Sequence, residues 1–457
     1  MEFLGFWGFV FTASVGGFGA LLLILKRANE WMFVRKLGEN KHTLPPGDLG
    51  WPFIGNTLSF IKAIKSDHPE SFISNYVKRF GRTGIYKAYL FGKPTIIVTT
   101  PETCKQVLMD SLQFKTGWPK STSELMGRKS FVGLSEEEHK RLRKLTAAPI
   151  SGHKALSMYQ EYIEDVIVSS LDELAKAKKP VEFLTEIRKI TFRIIMFIFL
   201  SCEARKRMVK IIQGIVDGRR ARNEAQISRE RTDLTDMLIV TEDENGNKLD
   251  DEEIIDIILM YLNAGHESTA HATLWATLFL HEHPEYYQKA KAEQLEILKT
   301  ASPEEGFNFR GTKQMEYLSK VIDETLRIVN VSLYSYREAA TEVKISGYTI
   351  PRGWKVMMWY RGVHLNPEYY PDPKEFNPSR WNESNGKAGS FIPFGMGSRL
   401  CPGIDLTKLE ITIFLHYFLL NYELERLNPA IGVSYLPHPR PKDNCLAKIK
   451  KLPSPSI

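Results

Sequence analysis

The sequence predicts a mainly α-helical α+β fold with small β-sheets, preceded by one N-terminal transmembrane helix. Three observations carry this expectation. Phe3–Leu25 is a run of 23 residues without a charge, long enough as a helix to cross a hydrocarbon core of about 30 Å. Most of the remaining chain has helical apolar periodicity, including Asp251–His283, a run of 33 residues that would form about 50 Å of helix. Only two short groups of β-branched and aromatic residues, punctuated by glycine, interrupt that pattern.

The chain has 457 residues, 43% hydrophobic and 25% charged, which is ordinary globular usage and excludes a disordered or collagen-like chain. Its four cysteines, Cys104, Cys202, Cys401 and Cys445, form no CxxC pair, so neither a disulfide scaffold nor a cysteine zinc cluster is expected. The net charge of +7 is spread along the chain. It points to no nucleic-acid partner, but suits a basic face for an acidic protein or an anionic membrane.

The N-terminal apolar run is followed by Lys26, Arg27, Arg35 and Lys36, while only Met1 and Glu2 precede it. A positive flank on the C-terminal side places the body in the cytosol. The missing positive n-region argues against a cleaved signal peptide. Residues 1–26 are therefore expected to be a membrane anchor. Residues 27–56 form a basic, proline-rich hinge: Leu44-Pro45-Pro46-Gly47 and Trp51-Pro52 stop helices and stiffen the connection. Residues 57–457 then make one large domain. Within it, Ile85–Phe91 and Pro94–Thr100 read as a hairpin about Gly92-Lys93. Val343–Ser346, Tyr348–Ile350 and Lys355–Trp359 read as a second meander. Asp250 with Glu253 has the spacing of a capping box for the long helix, and Pro284 stops it.

The richest chemistry lies in Phe391–Gly403, which runs into an apolar helix from about Ile404 to Leu420. Cys401 stands just before that helix, where the dipole and free N–H groups favour a thiolate. Gly395 and Gly397 allow sharp turns that aim N–H groups at the sulfur, and Gly403 leaves room for a flat macrocycle. If Cys401 binds iron, Arg399 can pair with a haem propionate. A lone cysteine is more often a small buried hydrophobe, but the fixed pattern around this one makes chance unlikely as its origin. Gly395-x-Gly397 does not continue into a dinucleotide fingerprint, and no Walker loop, HExxH or GxSxG occurs.

Two other constellations stand out. Glu324 and Arg327 share a helix face at i,i+3, and by spacing alone are an ordinary surface pair. Ala264-Gly265-His266-Glu267-Ser268-Thr269 lies midway along the long helix. A helix-interior glycine costs about 1 kcal/mol, so Gly265 needs a reason; close approach to a ligand is one. Glu267 beside two hydroxyls can relay protons, although Ser268 and Thr269 could equally back-bond to carbonyls one turn earlier. His266 reads as a packed polar side chain.

Taken with Phe394-x-x-Gly397-x-Arg399-x-Cys401-x-Gly403, these motifs resemble the cytochrome P450 superfamily of haem-thiolate monooxygenases. The resemblance implies a cytochrome P450 fold holding haem, iron protoporphyrin IX. Cys401 would be the iron ligand, with Phe394, Gly395, Gly397, Arg399 and Gly403 around it. Glu324, Arg327 and Arg380 would form a structural triad. His139, Arg143 and Arg337 would meet the propionates, with a solvated helix face as the competing reading for the charged run Glu136–Lys144. Glu267 with Ser268 or Thr269 would steer protons to iron-bound dioxygen.

A closer resemblance extends over nearly the whole chain, through Leu44–Asn56, Gly117–Thr122, Gly127–Gly133, Met260–Ser268 and Arg440–Lys448. These segments are similar to the plant ent-kaurenoic acid oxidases. That implies successive oxidations of a diterpenoid acid in gibberellin biosynthesis, at the endoplasmic reticulum membrane. Electrons would come from a separate NADPH–cytochrome reductase. The segments 129–131 and 331–336 are expected to line the substrate pocket. One departure is evident: near residues 201–206 the chain lacks an internal segment that in the family forms the pocket roof. The alternatives are a related triterpenoid (β-amyrin-type) oxidase, a non-catalytic haem-binding isoform, and, against the cysteine loop, a non-haem membrane-bound interaction protein.

Overall fold

The computed structural model describes residues 14, 16–17, 25, 27–119, 122, 126–127, 129–199, 212–220, 234–300, 309–382 and 387–453. The apolar run Phe3–Leu25 lies almost wholly outside them. Among the described residues no helix is long and apolar enough to cross a membrane. The junction at 201–206 also lies outside.

Up to Gly117 the described elements are α1 (Thr57–Lys65), α2 (Ser71–Phe80), β1 (Ile85–Leu90), β2 (Lys93–Val98), α3 (Pro101–Met109) and β3 (Phe114–Thr116). Then follow α4 (Glu136–Ser151), α5 (His153–Ala175), β4 (Val181–Glu182), α6 (Phe183–Phe199), α7 (Leu234–Val240), α8 (Asp251–Glu282), α9 (Pro284–Thr300), α10 (Phe309–Gln314) and α11 (Glu316–Val329). Next come β5 (Ser335–Ala339), β6 (Val343–Ile345), β7 (Tyr348–Ile350), β8 (Lys355–Met358) and α12 (Tyr360–His364). The last are α13 (Ile404–Asn421), β9 (Tyr422–Arg426), β10 (Val433–Ser434), β11 (Arg440–Pro441) and β12 (Leu446–Lys451).

The chain divides into two compact units. The smaller comprises residues 1–117 and 334–363, the larger residues 118–333 and 364–457. A five-stranded sheet in the order β1-β2-β8-β5-β3 organises the smaller unit. The β1–β2 hairpin pairs Ile85 with Val98 through Leu90 with Lys93, so the strand starts at Lys93 and the turn is Phe91-Gly92. The expected second meander does not form. β6 and β7 make a hairpin of their own, while β8 runs parallel to β2 and antiparallel to β5. Strand runs of this length do not specify their partners; here the apolar β2 and β8 are both buried and pair with each other.

The larger unit is helical and carries one continuous apolar core. Its axis is α8, whose capping box is complete: the Asp250 carboxylate accepts from Glu253 N at 2.7 Å, and the Glu253 carboxylate accepts from Asp250 N at 2.9 Å. A second capping box, Ser135 with Glu138, starts α4. At 32 residues, α8 is about 48 Å long. It packs along α6, α11 and α13. The reason for Gly265 is found here: a Cβ on it would meet Ile195 Cδ1 of α6 at 3.0 Å. The glycine admits close packing of these two helices. α13 is buried almost throughout.

Candidate functional site

The Cys401 loop is shaped by residues that adopt what other residues resist. Gly395 and Gly397 have φ of +76° and +74°, a region costly for side-chain-bearing residues. Gly395 N donates to Ile392 O at 3.1 Å and Leu400 N to Gly397 O at 3.1 Å, closing two successive turns. Cys401 N donates to Phe394 O at 3.0 Å, so the loop folds back on Phe394. Ser151 Oγ, at the end of α4, donates to Pro402 O at 2.8 Å and ties the loop down.

Burial pushes the Cys401 thiol up, while the Gly403 N–H and the positive charge of Arg143 pull it the other way. In the bare polypeptide burial outweighs the pull expected from the helix end. A metal would replace the proton and reverse that balance.

Haem fits this arrangement on three counts. The donor is a soft sulfur that faces the Gly403 N–H. Where a Cβ of Gly403 would project, the nearest atoms are Thr407 Oγ1 at 3.8 Å and Cys401 Sγ at 3.9 Å, so the loop's own atoms do not crowd that face beside the sulfur. Finally, α8 is buried on both sides of its midpoint, yet Asn263 and Ala264 are exposed and 265–268 half-exposed.

That midpoint carries the acid and the two hydroxyls, and the structure separates them. Glu267 is ion-paired with Arg188 of α6 at 2.5 Å. Ser268 lies in the half-exposed stretch, its Oγ donating to Ala264 O at 2.7 Å. Thr269 is 1% exposed and turns the other way, 3.4 Å from Thr407 Oγ1 at the start of α13. His266 contacts Leu262 O and the Phe192 ring, a packing role.

Arg188 Nη2 also approaches His271 Nε2 at 3.4 Å. His271 Nδ1 is 2.7 Å from the Glu267 carbonyl; assigning it the proton leaves Nε2 as acceptor for the guanidinium. Sequence reasoning missed Arg188 and His271. The demand of an acid on a largely buried helix for a cation was visible, but α6 also carries Lys189 and Arg193, and nothing in the sequence chooses among them.

α4 contributes His139 and Arg143, one turn apart. His139 is 3% exposed, with its ring edge-on to Phe131 at 5.3 Å. Arg399 spends its donors inside the protein, on Phe131 O at 2.7 Å, Leu134 O at 3.3 Å and the Glu136 carboxylate at 3.3 Å. Of the expected pocket segment 129–131, Lys129 instead pairs with Asp250 and Glu252 at the start of α8. Arg337 lies on β5 in the smaller unit, 7% exposed. There its neighbour Gly117 sits so close that a Cβ would overlap the Arg337 carbonyl.

Glu324 and Arg327 are no surface pair. Both side chains are 0% exposed. The carboxylate accepts from Arg327 Nε and Nη2 at 2.8 Å each, Arg380 Nε at 3.2 Å, Trp381 Nε1 at 3.0 Å and Asn377 N at 3.1 Å.

Comparison with known proteins identifies the family. The family model Cytochrome P450 matches residues 45–206 and 201–430, two pieces that meet at the junction noted above. The ent-kaurenoic acid oxidase 2 of Arabidopsis thaliana is 53% identical, covering 96% of this chain and 97% of that protein. A 7,8-epoxymelianol synthase of Ailanthus altissima is 49% identical, covering 99% of this chain and 98% of its own length. Among solved structures, a cyanobacterial cytochrome P450 with retinoic acid bound superposes with a TM-score of 0.78 at 25% identity, covering 90% of this chain and 99% of that one. An alignment of 477 positions that takes in 96% of this chain must contain some tens of positions at which the relative has residues and this chain has none.

Proposed function

Because this chain belongs to the cytochrome P450 family, and is therefore a haem-dependent monooxygenase oxidoreductase, we propose that it oxidises ent-kaurenoic acid in successive steps within gibberellin biosynthesis. The observation that carries the substrate is the 53% identity, end to end, with an ent-kaurenoic acid oxidase. The 49% identity with a 7,8-epoxymelianol synthase favours a second reading, a related triterpenoid oxidase. NADPH–cytochrome reductase supplies the electrons. Residues 1–26 anchor the chain in the endoplasmic reticulum membrane with the body in the cytosol, residues 27–56 are the hinge, and 57–457 form the oxidising domain.

Haem iron, when bound, supplies the activation of dioxygen and the insertion of one oxygen atom into substrate. The residues of this chain do the rest. Cys401 Sγ holds the iron, and the turns at Gly395 and Gly397 fix the sulfur's position. His139, Arg143 and Arg399 would hold the propionates. Ser268 Oγ faces the open side of α8 and hands on a proton. Glu267, held by Arg188, resupplies it from the solvent side. Thr269 is turned toward α13 and keeps that helix in register with α8. Glu324, Arg327 and Arg380 lock the core behind the cysteine loop.

The test is the full chain in microsomes with a plant reductase. A thiolate-type reduced carbon-monoxide spectrum, with NADPH-dependent product from ent-kaurenoic acid, is expected. The spectrum without product would reject the substrate; loss of the spectrum in wild type, or its retention in Cys401→Ala, would reject the haem assignment.

A further inference from the structure

One face of α6 grips the middle of α8. Arg188, Thr191 and Ile195 fall on that face at i, i+3 and i+7. Thr191 Oγ1 donates to His266 O at 2.9 Å, and Ile195 closes on Gly265. α6 is thereby set in register with residues 265–267, and Arg188 arrives beside Glu267. Glu267 alone does not fix the guanidinium. Its hydrogen bonds among the described residues both run through one atom, Nη2: to Glu267 Oε1 at 2.5 Å and to His271 Nε2 at 3.4 Å. Arg188 Nε is buried and has no hydrogen-bond partner among the described residues. Glu267 and His271 are thus the two groups there that orient this guanidinium.

His271 is itself held from several sides. It is 0% exposed and lies one turn after Glu267, whose carbonyl is 2.7 Å from its Nδ1. The ring of His438, in the stretch between β10 and β11, packs against it at 5.0 Å. His438 Nδ1 is in turn 2.9 Å from Val331 O, just after α11. Trp275 Nε1, one turn further along α8, donates to Pro439 O at 2.8 Å and ties the same stretch down. A ring enclosed in this way has little freedom to turn from Arg188. Burial pushes His271 down to about 3, and the charges of His438, Arg188 and Arg440 act in the same direction. At neutral pH, Nε2 therefore has a lone pair to offer. A histidine that only filled the core would need its one N–H satisfied, and the Glu267 carbonyl does that. The second contact, to a guanidinium already engaged by an acid, is what core packing leaves unexplained.

We propose that His271 is a positioning residue for the acid on α8: its Nε2 accepts from Arg188 and so aims the guanidinium at the Glu267 carboxylate, with His438 bracing the ring from behind. The inference rests on the reading of Glu267 as proton supplier given above. Glu267 lies in the half-exposed stretch of α8. Its other carboxylate oxygen has His266 Nε2 at 3.8 Å, beyond hydrogen-bond distance, so its orientation depends on Arg188. An arginine side chain has much rotamer freedom to lose, and a second acceptor on the same nitrogen restricts it before the acid is engaged. A proton passed from Glu267 then starts from one place and not from many.

Full-length chains in microsomes with a plant reductase are compared for oxygen consumed per product, for KM and for the reduced carbon-monoxide spectrum. His271→Leu is expected to raise oxygen per product severalfold, with the spectrum and the KM for ent-kaurenoic acid near wild type. His271→Gln, which returns an acceptor at the reach of Nε2, recovers most of the coupling. His271→Asn, which reaches the Glu267 carbonyl but not Arg188, behaves like His271→Leu and replaces it should that chain fail to accumulate. Equal uncoupling by Gln and Leu, or none by Leu and Asn where Glu267→Gln uncouples, would overturn the positioning role alone. Unchanged coupling in Glu267→Gln would overturn the relay reading with it. Urea unfolding gives a readout independent of turnover, on Arg188→Met, on His271→Leu or His271→Asn, and on the double variant. The midpoint shift of the double variant is expected to be smaller than the sum of the single shifts; additive shifts would reject the Arg188–His271 contact whatever the substrate.

Discussion

Removing the Glu324 carboxylate is the most informative single perturbation of this fold. Glu324 balances Arg327 at 0% exposure for both side chains. Arg327 would keep its carbonyl acceptors, His364 O and Pro373 O at 2.8 Å and Glu375 O at 3.3 Å, and its place over the Tyr370 ring. It would lose both charge-assisted bonds to the carboxylate, and Trp381 Nε1 and Asn377 N would lose their acceptor. An uncompensated buried charge costs about 3–5 kcal/mol, a large share of the ~5–15 kcal/mol that holds a domain together. Arg380→Ala should cost less, about 1–2 kcal/mol: the Arg380 side chain is 13% exposed, and its loss leaves the Glu324–Arg327 pair intact. The assay is urea unfolding of the haem-loaded chain, followed by circular dichroism and the haem spectrum. Glu324→Gln serves as the milder variant should Glu324→Ala fail to accumulate. A loss below about 1 kcal/mol for Glu324→Ala, or an equal loss for Arg380→Ala, would refute the buried-charge argument.

Further predictions follow from other sites. Ser268→Ala should raise oxygen consumption per product severalfold, whereas Thr269→Val should leave coupling near wild type and lower stability by about 1 kcal/mol through its lost hydroxyl partner; measuring NADPH, oxygen and product together decides between them. His271 is pushed down to about 3 by burial, helped by the charges of His438, Arg188 and Arg440. The unfolded chain therefore binds the extra proton first, and acidification from pH 7 to pH 5 should cost about 2 kcal/mol, a slope that His271→Gln flattens in pH-dependent unfolding. Glu410 on α13 is 2% exposed, and neither carboxyl oxygen has a partner among the described residues. Burial pushes its carboxyl well up, so its stabilising effect is present below the unfolded pKa and lost as pH rises. Glu410→Gln should accordingly be the more stable chain at pH 7, by about 1–3 kcal/mol, and equal to wild type near pH 4; a destabilised variant at pH 7 would reject this.

The helical class, the long central helix and the family were legible because each rests on local pattern. The Asp250 capping box, the Pro284 stop and the spaced glycines before Cys401 are all written in consecutive residues. Pairing across the chain was not. The strand at Lys355 chose β2 and β5 over its hairpin neighbours because two apolar strands could bury each other. The spacing of Glu324 and Arg327 allows a solvated pair as readily as a sealed one; only packing by Trp381, Asn377 and the 364–375 carbonyls decides it. Gly265 announced a close approach, but the approaching group, Ile195, lies on a helix seventy residues earlier. Arg188 was indistinguishable in the sequence from its basic neighbours.

The ion pair between Arg188 and Glu267 gives the junction at residues 201–206 a wider reach than pocket size. α6, which supplies Arg188 to the acid and Ile195 to Gly265, ends at Phe199, directly before the point where the two family matches meet. The chain joined there continues from the helix whose Arg188 pairs with Glu267. A chain altered only at this junction is therefore expected to differ in how protons reach Glu267, through the position of Arg188.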